Sequence, residues 1–594
     1  MKPFNPLQSG GVAGSLALAL AFLSATTTAR ANVYATDIQI NGSLASTNAP
    51  MDSPISITYR LNQTADRGVT VNILQGNTLV KTITGGTNMG LNSVSWTPAA
   101  TGTYSVTITA AATGYTNWTQ ISVDTNAGMP AYAPQGIDVD KNTNSPYYGR
   151  VIMGCSYSDN GNHNPFVPAF ARKDGLYKMN ADGTYADEGG YGDAGYTEDN
   201  LGDPPTAGQM PNSYGFNPYI IRIGEDDRIY WCDNTVIGAI VACDMQATTN
   251  QSVIVLNNGN YNANPDLSYL GNNGGYGVQQ FDVTGTTTTN PAVWLADAGD
   301  NPNWGIWMFH MVNGVADPAD TVGTQAVIQS ATSDLSEGSS GGCMVDANLD
   351  IFVSQNTPNN EAVLRTMDYT NWNHGVLPSK NSGANYAYGK AINQVFWGVG
   401  TSDNTFCGVL DTVINSRTHP TMVALPMAPG AGSSSTTFGI RVLNTTNGSV
   451  VSATNGATVQ TLTNIDYANQ YTCAAWDNVG NLYAASTTTN CWRVWSPPGT
   501  NQATTLAVAT VIVTAPPTPP DITSIMLGGT NVFINFTAGT NDAASAFTLI
   551  SSGTVVPLNT YASVTNATIT KVGSGVFQAT AGVSGSTRFY RLER

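Results

Sequence analysis

Apolar and polar positions alternate with a period of two along the early part of this chain. Residues 55–59 (ISITY), 69–73 (VTVNI), 79–83 (LVKTI) and 104–108 (YSVTI) switch sides at every residue, and Gly- and Asn-bearing turns separate them. Half-buried strands joined by tight turns read this way, so residues 32–126 are expected to form a β-sandwich. Further along, the pattern becomes short, fully apolar runs broken by acidic or amide turns. The clearest case is residues 471–495, YTCAAWDNVGNLYAASTTTNCWRVW, which read as strand, turn, strand, turn, strand. Looser versions stand at 219–233 (YIIRIGEDDRIYWCD) and 343–355 (CMVDANLDIFVSQ), with a partial one at 136–155. One such sheet cannot bury both of its faces alone. Repetition over residues 135–512 therefore predicts a β-propeller, with about seven blades at roughly 40–60 residues each.

A last set of alternating segments (532–536, 546–550, 567–571, 576–579, 589–592) follows APPTPP. The prolines at 513–520 make an extended linker, and residues 521–594 are expected to form a second small sandwich. The expected fold class is all-β, a central β-propeller flanked by two small β-sandwich domains.

Composition agrees with sheet. Only 10% of the 594 residues are charged, while Gly numbers 61 and Pro 30. The net charge of -17, with only 22 Lys+Arg and no basic stripe, excludes nucleic acid as a partner. Residues 1–31 read as a signal peptide: Lys2, an apolar core at 12–23, and Ala29-Arg30-Ala31 as a small-x-small cleavage site. That core is short for a membrane span of ~20 residues, and no later stretch is long and apolar enough. The expectation is a chain secreted or held at the outer cell surface, with no transmembrane segment after signal cleavage.

Three regions resemble known families. SITYRLNQTA, VTVNILQGNTLVKTI, SVSWTP and GTYSVTITA are similar to immunoglobulin-like domains of the flagellar-hook-cap type. GIDVD, GLYKMNADGT, IIRIGEDDRIYWCD and AAWDNVGNLYAAS resemble the hairpins of NHL and lactonase-like propellers. FQATAGVSGSTRFYRLER is similar to a C-terminal β module of secreted Verrucomicrobia-like bacterial proteins. The first and last imply modules without an activity. The second implies the propeller.

Candidate chemistry is thin. Asp138, Asp140 and Asn142 alternate as oxygen ligands in a calcium loop do, although side chains capping their own turn explain the same letters. Ca2+ is therefore the one cofactor candidate. Asp297 and Asp300 beside Trp304 and Trp307 form a candidate ligand-binding patch, weighed against indoles packed between blades. Asp226, Asp346 and Asp477 hold related places in three units, where hairpin capping competes with a ring of acids around the axis. Cys232 with Cys243, and Cys473 with Cys491, flank turns and are disulfide candidates in an exported chain. No zinc motif or Walker loop is present, and no catalytic residue is assigned.

These observations favour a non-enzymatic role, with the propeller face binding a glycan or surface protein. The alternatives are a propeller-based polysaccharide lyase, glycosidase or lactonase-like hydrolase, and a self-assembling layer or fibre subunit.

Overall fold

The computed structural model describes residues 32–131, 134–155, 175–186, 218–233, 240–246, 253–256, 280–286, 289–296, 305–320, 326–329, 340–355, 362–366, 392–398, 407–409, 411–429, 439–446, 451, 465–466, 469–583, 585 and 587–594. The described residues are all-β: strands and turns, with two 3-10 turns at Ala544–Ala546 and Leu558–Thr560. No described helix is long and apolar enough to cross a membrane. The chain divides into two compact units, one of Met1–Thr47, Ser56–Ser95 and Tyr104–Thr510, the other of Asn48–Ile55, Trp96–Thr103 and Val511–Arg594.

The first unit is dominated by six successive antiparallel sheets. Their leading strands are Pro134–Val139, Pro218–Ile223, Gln280–Thr286, Ser340–Val345, the pair Cys407–Val409 and Val413–Ile414, and Cys473–Trp476. Each leading strand touches the next, and the sixth touches the first. The described residues thus hold six sheets where about seven blades were expected. The partial unit at 136–155 extends to GLYKM, so that GIDVD, GRVIMGC and GLYKM belong to one sheet. They are three strands of the first sheet, with Val151–Cys155 between Pro134–Val139 and Gly175–Met179.

Strands in this body are buried on both faces. Leu482–Ser486 has no exposed residue, since Tyr483 and Ala485 face a core shared with sheets one to three while Leu482 and Ala484 face one shared with sheets four and five. Both-face burial removes the need for alternation, which is why the sequence shows apolar runs here.

Two alternating sheets precede this body. Ile55–Leu61 lies between Ala35–Ile40 and Gly90–Trp96, and Gly102–Tyr115 pairs with Gly68–Gln75 and with Gly499–Leu506. Residues 119–121 and 129–131 pack against the sixth sheet. Thr119–Gln120 pairs with the end of Cys491–Ser496, Ile121 N donates to Val494 O at 2.9 Å, and Trp492 N donates to Met129 O at 3.1 Å. Met129 and Ala131 are wholly buried. An early part of the chain therefore supplies the outer strand of the last sheet, so that this edge is not left open.

The second unit carries a sheet in the order Asp521–Gly528, Asn531–Thr537, Val576–Gly582, Thr568–Gly573, and a second one with Thr548–Ser552 at its centre. Phe536, Phe547 and Phe577 fill its core, and Phe536 stacks on Phe577 at 5.3 Å. Residues 515–520 have no regular structure and are mostly exposed, as a proline-rich spacer should be.

Neither candidate disulfide forms. Cys232 lies opposite Ile240, three residues from Cys243, so the two side chains leave opposite faces of the sheet. Cys473 and Cys491 sit on strands separated by Leu482–Ser486, roughly 9–10 Å apart at a strand spacing of ~4.8 Å, beyond disulfide reach. Both pairs are buried.

Candidate functional site

The leading strands of sheets one, three and five carry an aspartate at matching places, and each does the same work. Asp138 accepts from Val139 N (2.8 Å) and, across to sheet two, from Ile223 N (2.7 Å). Asp282 accepts from Val283 N (2.9 Å) and from Val345 N of sheet four (2.7 Å). Asp411 accepts from Thr412 N (2.8 Å) and, more loosely, from Ala474 N of sheet six (3.4 Å). A carboxylate spanning two leading strands fixes their spacing, and sheets two, four and six supply the donating amides.

Buried carboxylates need a counter-charge, and each of these has one. Lys141 Nζ lies 2.6 Å from Asp138, and Arg222 Nη2 lies 2.7 Å from Asp411. Arg417 grips both oxygens of Asp282 at 2.6 and 2.7 Å, and also donates to the carbonyls of Val345 and Val283. Burial works against the charge of Arg222 and Arg417, but Asp411 and Asp282 beside them outweigh it, and both guanidiniums are held above their ordinary range.

Asp138, Lys141 and Arg417 of these pairs border a cavity of about 290 Å³. Its walls come from just past the leading strands: Lys141 and Asn142 from sheet one, Gly224 and Glu225 from sheet two, residues 414–418 from sheet five and Asn478 from sheet six. Met344 and Ile414 are its apolar floor. The lining is chiefly amide, hydroxyl and charged, and the volume stands at the small end of the range for ligand pockets. Loop 415–418 is pinned by Arg417, and Asn415 Oδ1 caps Thr421 N and Met422 N at 2.9 Å each.

The residues singled out by sequence are placed as follows. Asp138 is an inter-strand clamp paired with Lys141. Asp140 Oδ1 accepts from Asn142 N at 2.9 Å and Asn142 Oδ1 from Asn144 N at 3.0 Å, both turn caps, while Asn142 Nδ2 donates to Asp227 of the next sheet at 2.8 Å. Burial raises the Asp140 carboxyl to about 6. No cluster of three His, Cys, Asp or Glu suited to a metal occurs among the described residues. Trp307 is buried at 2% exposure in the core of sheets one to three; it packs rather than presenting a face to a ligand. Asp297, Asp300 and Trp304 lie outside the described residues.

Asp226, Asp346 and Asp477 cap hairpins: Asp346 Oδ1 accepts from Asn348 N and Asp350 N, and Asp477 Oδ1 from Val479 N and Asn481 N. Sequence reasoning passed over Asp282, Asp411, Arg222 and Arg417. The only signal was a lone Asp set in an apolar strand, as in FDV and LDT.

No protein-family model matches the sequence, and no curated protein does. Among solved structures, the chain is similar to a protein of unknown function from Bacteroides thetaiotaomicron, at 10% identity over 77% of this chain and 98% of that one, TM-score 0.34. It is also similar to an iodide and a calcium structure of Trichoderma reesei Carbohydrate-Active Enzymes Family AA12, at 15% and 13% identity. Each covers 66% of this chain and 97% of that one, with TM-scores of 0.34 and 0.32. Likeness at this level carries no argument about ligand or activity here.

Proposed function

We propose that this chain is an exported protein whose six sheets form a six-bladed β-propeller, and that the cavity at the ends of the leading strands binds a small hydroxyl-rich ligand, a glycan unit. The single observation carrying this reading is a cavity whose polar walls come from four sheets, bordered by buried ion pairs. Pinned loops limit the ordering cost of binding, which favours recognition. The immunoglobulin-like domain and C-terminal module would then set reach or attachment. The test is binding of the secreted full chain to a glycan array, followed by calorimetry on the best ligand. Thr418→Trp, which fills the cavity from an exposed loop position, should abolish binding. Wild-type protein that binds no glycan, or a variant that binds unchanged, contradicts the reading.

A second reading, a propeller-based lyase, glycosidase or lactonase-like hydrolase, draws support from the convergence of Asp138, Asp282, Asp411 and their cations on the leading strands. Against it, the oxygens of these carboxylates already accept protein hydrogen bonds, and hydrolysis of a glycoside needs two carboxyls facing the substrate. Incubation with bound glycans should release no new reducing ends or unsaturated products. Their appearance would shift the assignment to catalysis.

A further inference from the structure

Within the cavity the charges are unequally engaged. Lys141 Nζ sits on Asp138, and Arg417 is held by both oxygens of Asp282 with two backbone carbonyls completing its shell. Each cation is therefore already paired with a carboxylate, Lys141 with Asp138 in the lining and Arg417 with Asp282 behind it, and Arg417 also feels the charge of Glu225. Glu225 differs. It is exposed on the turn after Pro218–Ile223, and no described group donates a hydrogen bond to it. Of the charged lining residues, Lys141 and Arg417 balance Asp138 and Glu225, and Asp282, paired with Arg417 behind the lining, tips the local balance to one net negative charge. Asp226 and Asp227 follow on the same turn and deepen the negative potential at its rim, with Arg228 after them donating to Gly314 O at 2.9 Å.

We infer that the cavity selects a ligand bearing a cationic amine among its hydroxyls, with Glu225 as the specificity-determining residue that pairs with the ammonium. An anionic ligand would meet Glu225 without a free cation to offset it. A neutral one would use only the amides and hydroxyls. The inference rests on the glycan-binding reading above, and one experiment separates the two.

The full chain is titrated by calorimetry with a glucosamine oligomer and with its N-acetylated counterpart, at low and high salt, as wild type, Glu225→Gln and Thr418→Trp. Glu225 is exposed, so its replacement leaves the fold intact. The amine-bearing oligomer should bind wild type roughly fivefold more tightly, as one part-exposed charge pair allows. The preference should shrink with salt and vanish in Glu225→Gln, while Thr418→Trp loses both ligands. Equal or tighter binding of the acetylated oligomer overturns the inference and spares the cavity as a glycan site. So does a preference that survives in Glu225→Gln. Binding of neither oligomer overturns the inference, and binding unchanged by Thr418→Trp overturns both.

Discussion

The six sheets of the first unit and the sheets of the C-terminal unit are buried in different ways. In the sheets between Pro134 and Ser496, a strand such as Val151–Cys155 is buried at every residue, because another sheet covers each face. In the C-terminal unit Asn531–Thr537 and Val576–Gly582 alternate, one face inward and one toward solvent. Covering both faces brings a cost that the smaller unit avoids: polar groups of the central strands must find partners inside the protein. The buried aspartates and their cations meet that need. The contrast teaches that the buried charged pairs on the leading strands are there first to hold strands together.

The sharpest way to break this contrast is to remove a buried aromatic from each unit. Trp492 is wholly buried, and its Nε1 donates to Gly128 O at 2.6 Å on the segment that closes the sixth sheet. Trp492→Ala should cost about 5 kcal/mol and melt the six sheets together. Phe577→Ala should cost about 3–4 kcal/mol, with the loss confined to the C-terminal unit. Calorimetry checks both, and a single shared transition in each variant would show that the units do not melt separately.

Next in size is the ion pair at the border of the cavity. Arg417→Met leaves Asp282 buried with no cation and should cost about 3 kcal/mol by denaturant titration. Replacing Asp282 by Leu in the same chain should restore much of that loss. No restoration would mean that Arg417 acts through its backbone carbonyl contacts alone.

Acid sharpens the comparison further, since the inward-facing carboxyls belong to the first unit. Burial raises Asp140 and Asp477 from 3.8 to about 6. Between those values the folded chain holds protons that the unfolded chain has released. Stability therefore falls as pH rises from 3.8 to about 6, by on the order of 2–3 kcal/mol for each group, and is flat in their share outside that window. Asp477→Asn should remove its part of the slope. The smallest effect belongs to the exposed pair of Arg594 and Asp542 in the C-terminal unit. Arg594→Ala should change stability by less than about 1 kcal/mol.

Legibility in the sequence follows the same division. Alternating segments at 55–59, 69–73, 532–536 and 576–579 each lie within an observed strand, because one solvated face leaves a period in the letters. In the six sheets the hairpins at 219–233, 343–355 and 471–495 were legible as apolar runs on either side of a polar turn. Asp477 to Asn481 and Asp346 to Asp350 announce themselves because their side chains cap backbone two to four residues away. The cavity was not legible. Lys141, Glu225, Arg417 and Asn478 meet through the order of the sheets, and no local rule links an Asp at 282 to an Arg at 417. The paired cysteines failed for a related reason: flanking a turn fixes neither register nor face.

The central claim is that the last of the six sheets is completed by an early part of the chain, so that the row ends sealed. Native-state hydrogen exchange of the Ile121 and Trp492 amides tests it most directly, since these donate to Val494 O and Met129 O across that seam. Both should exchange only through global opening, with the protection of core amides such as those of Leu482–Ser486. Exchange of Ile121 and Trp492 within seconds, while that strand stays protected, would mean the seam is open and would contradict the account.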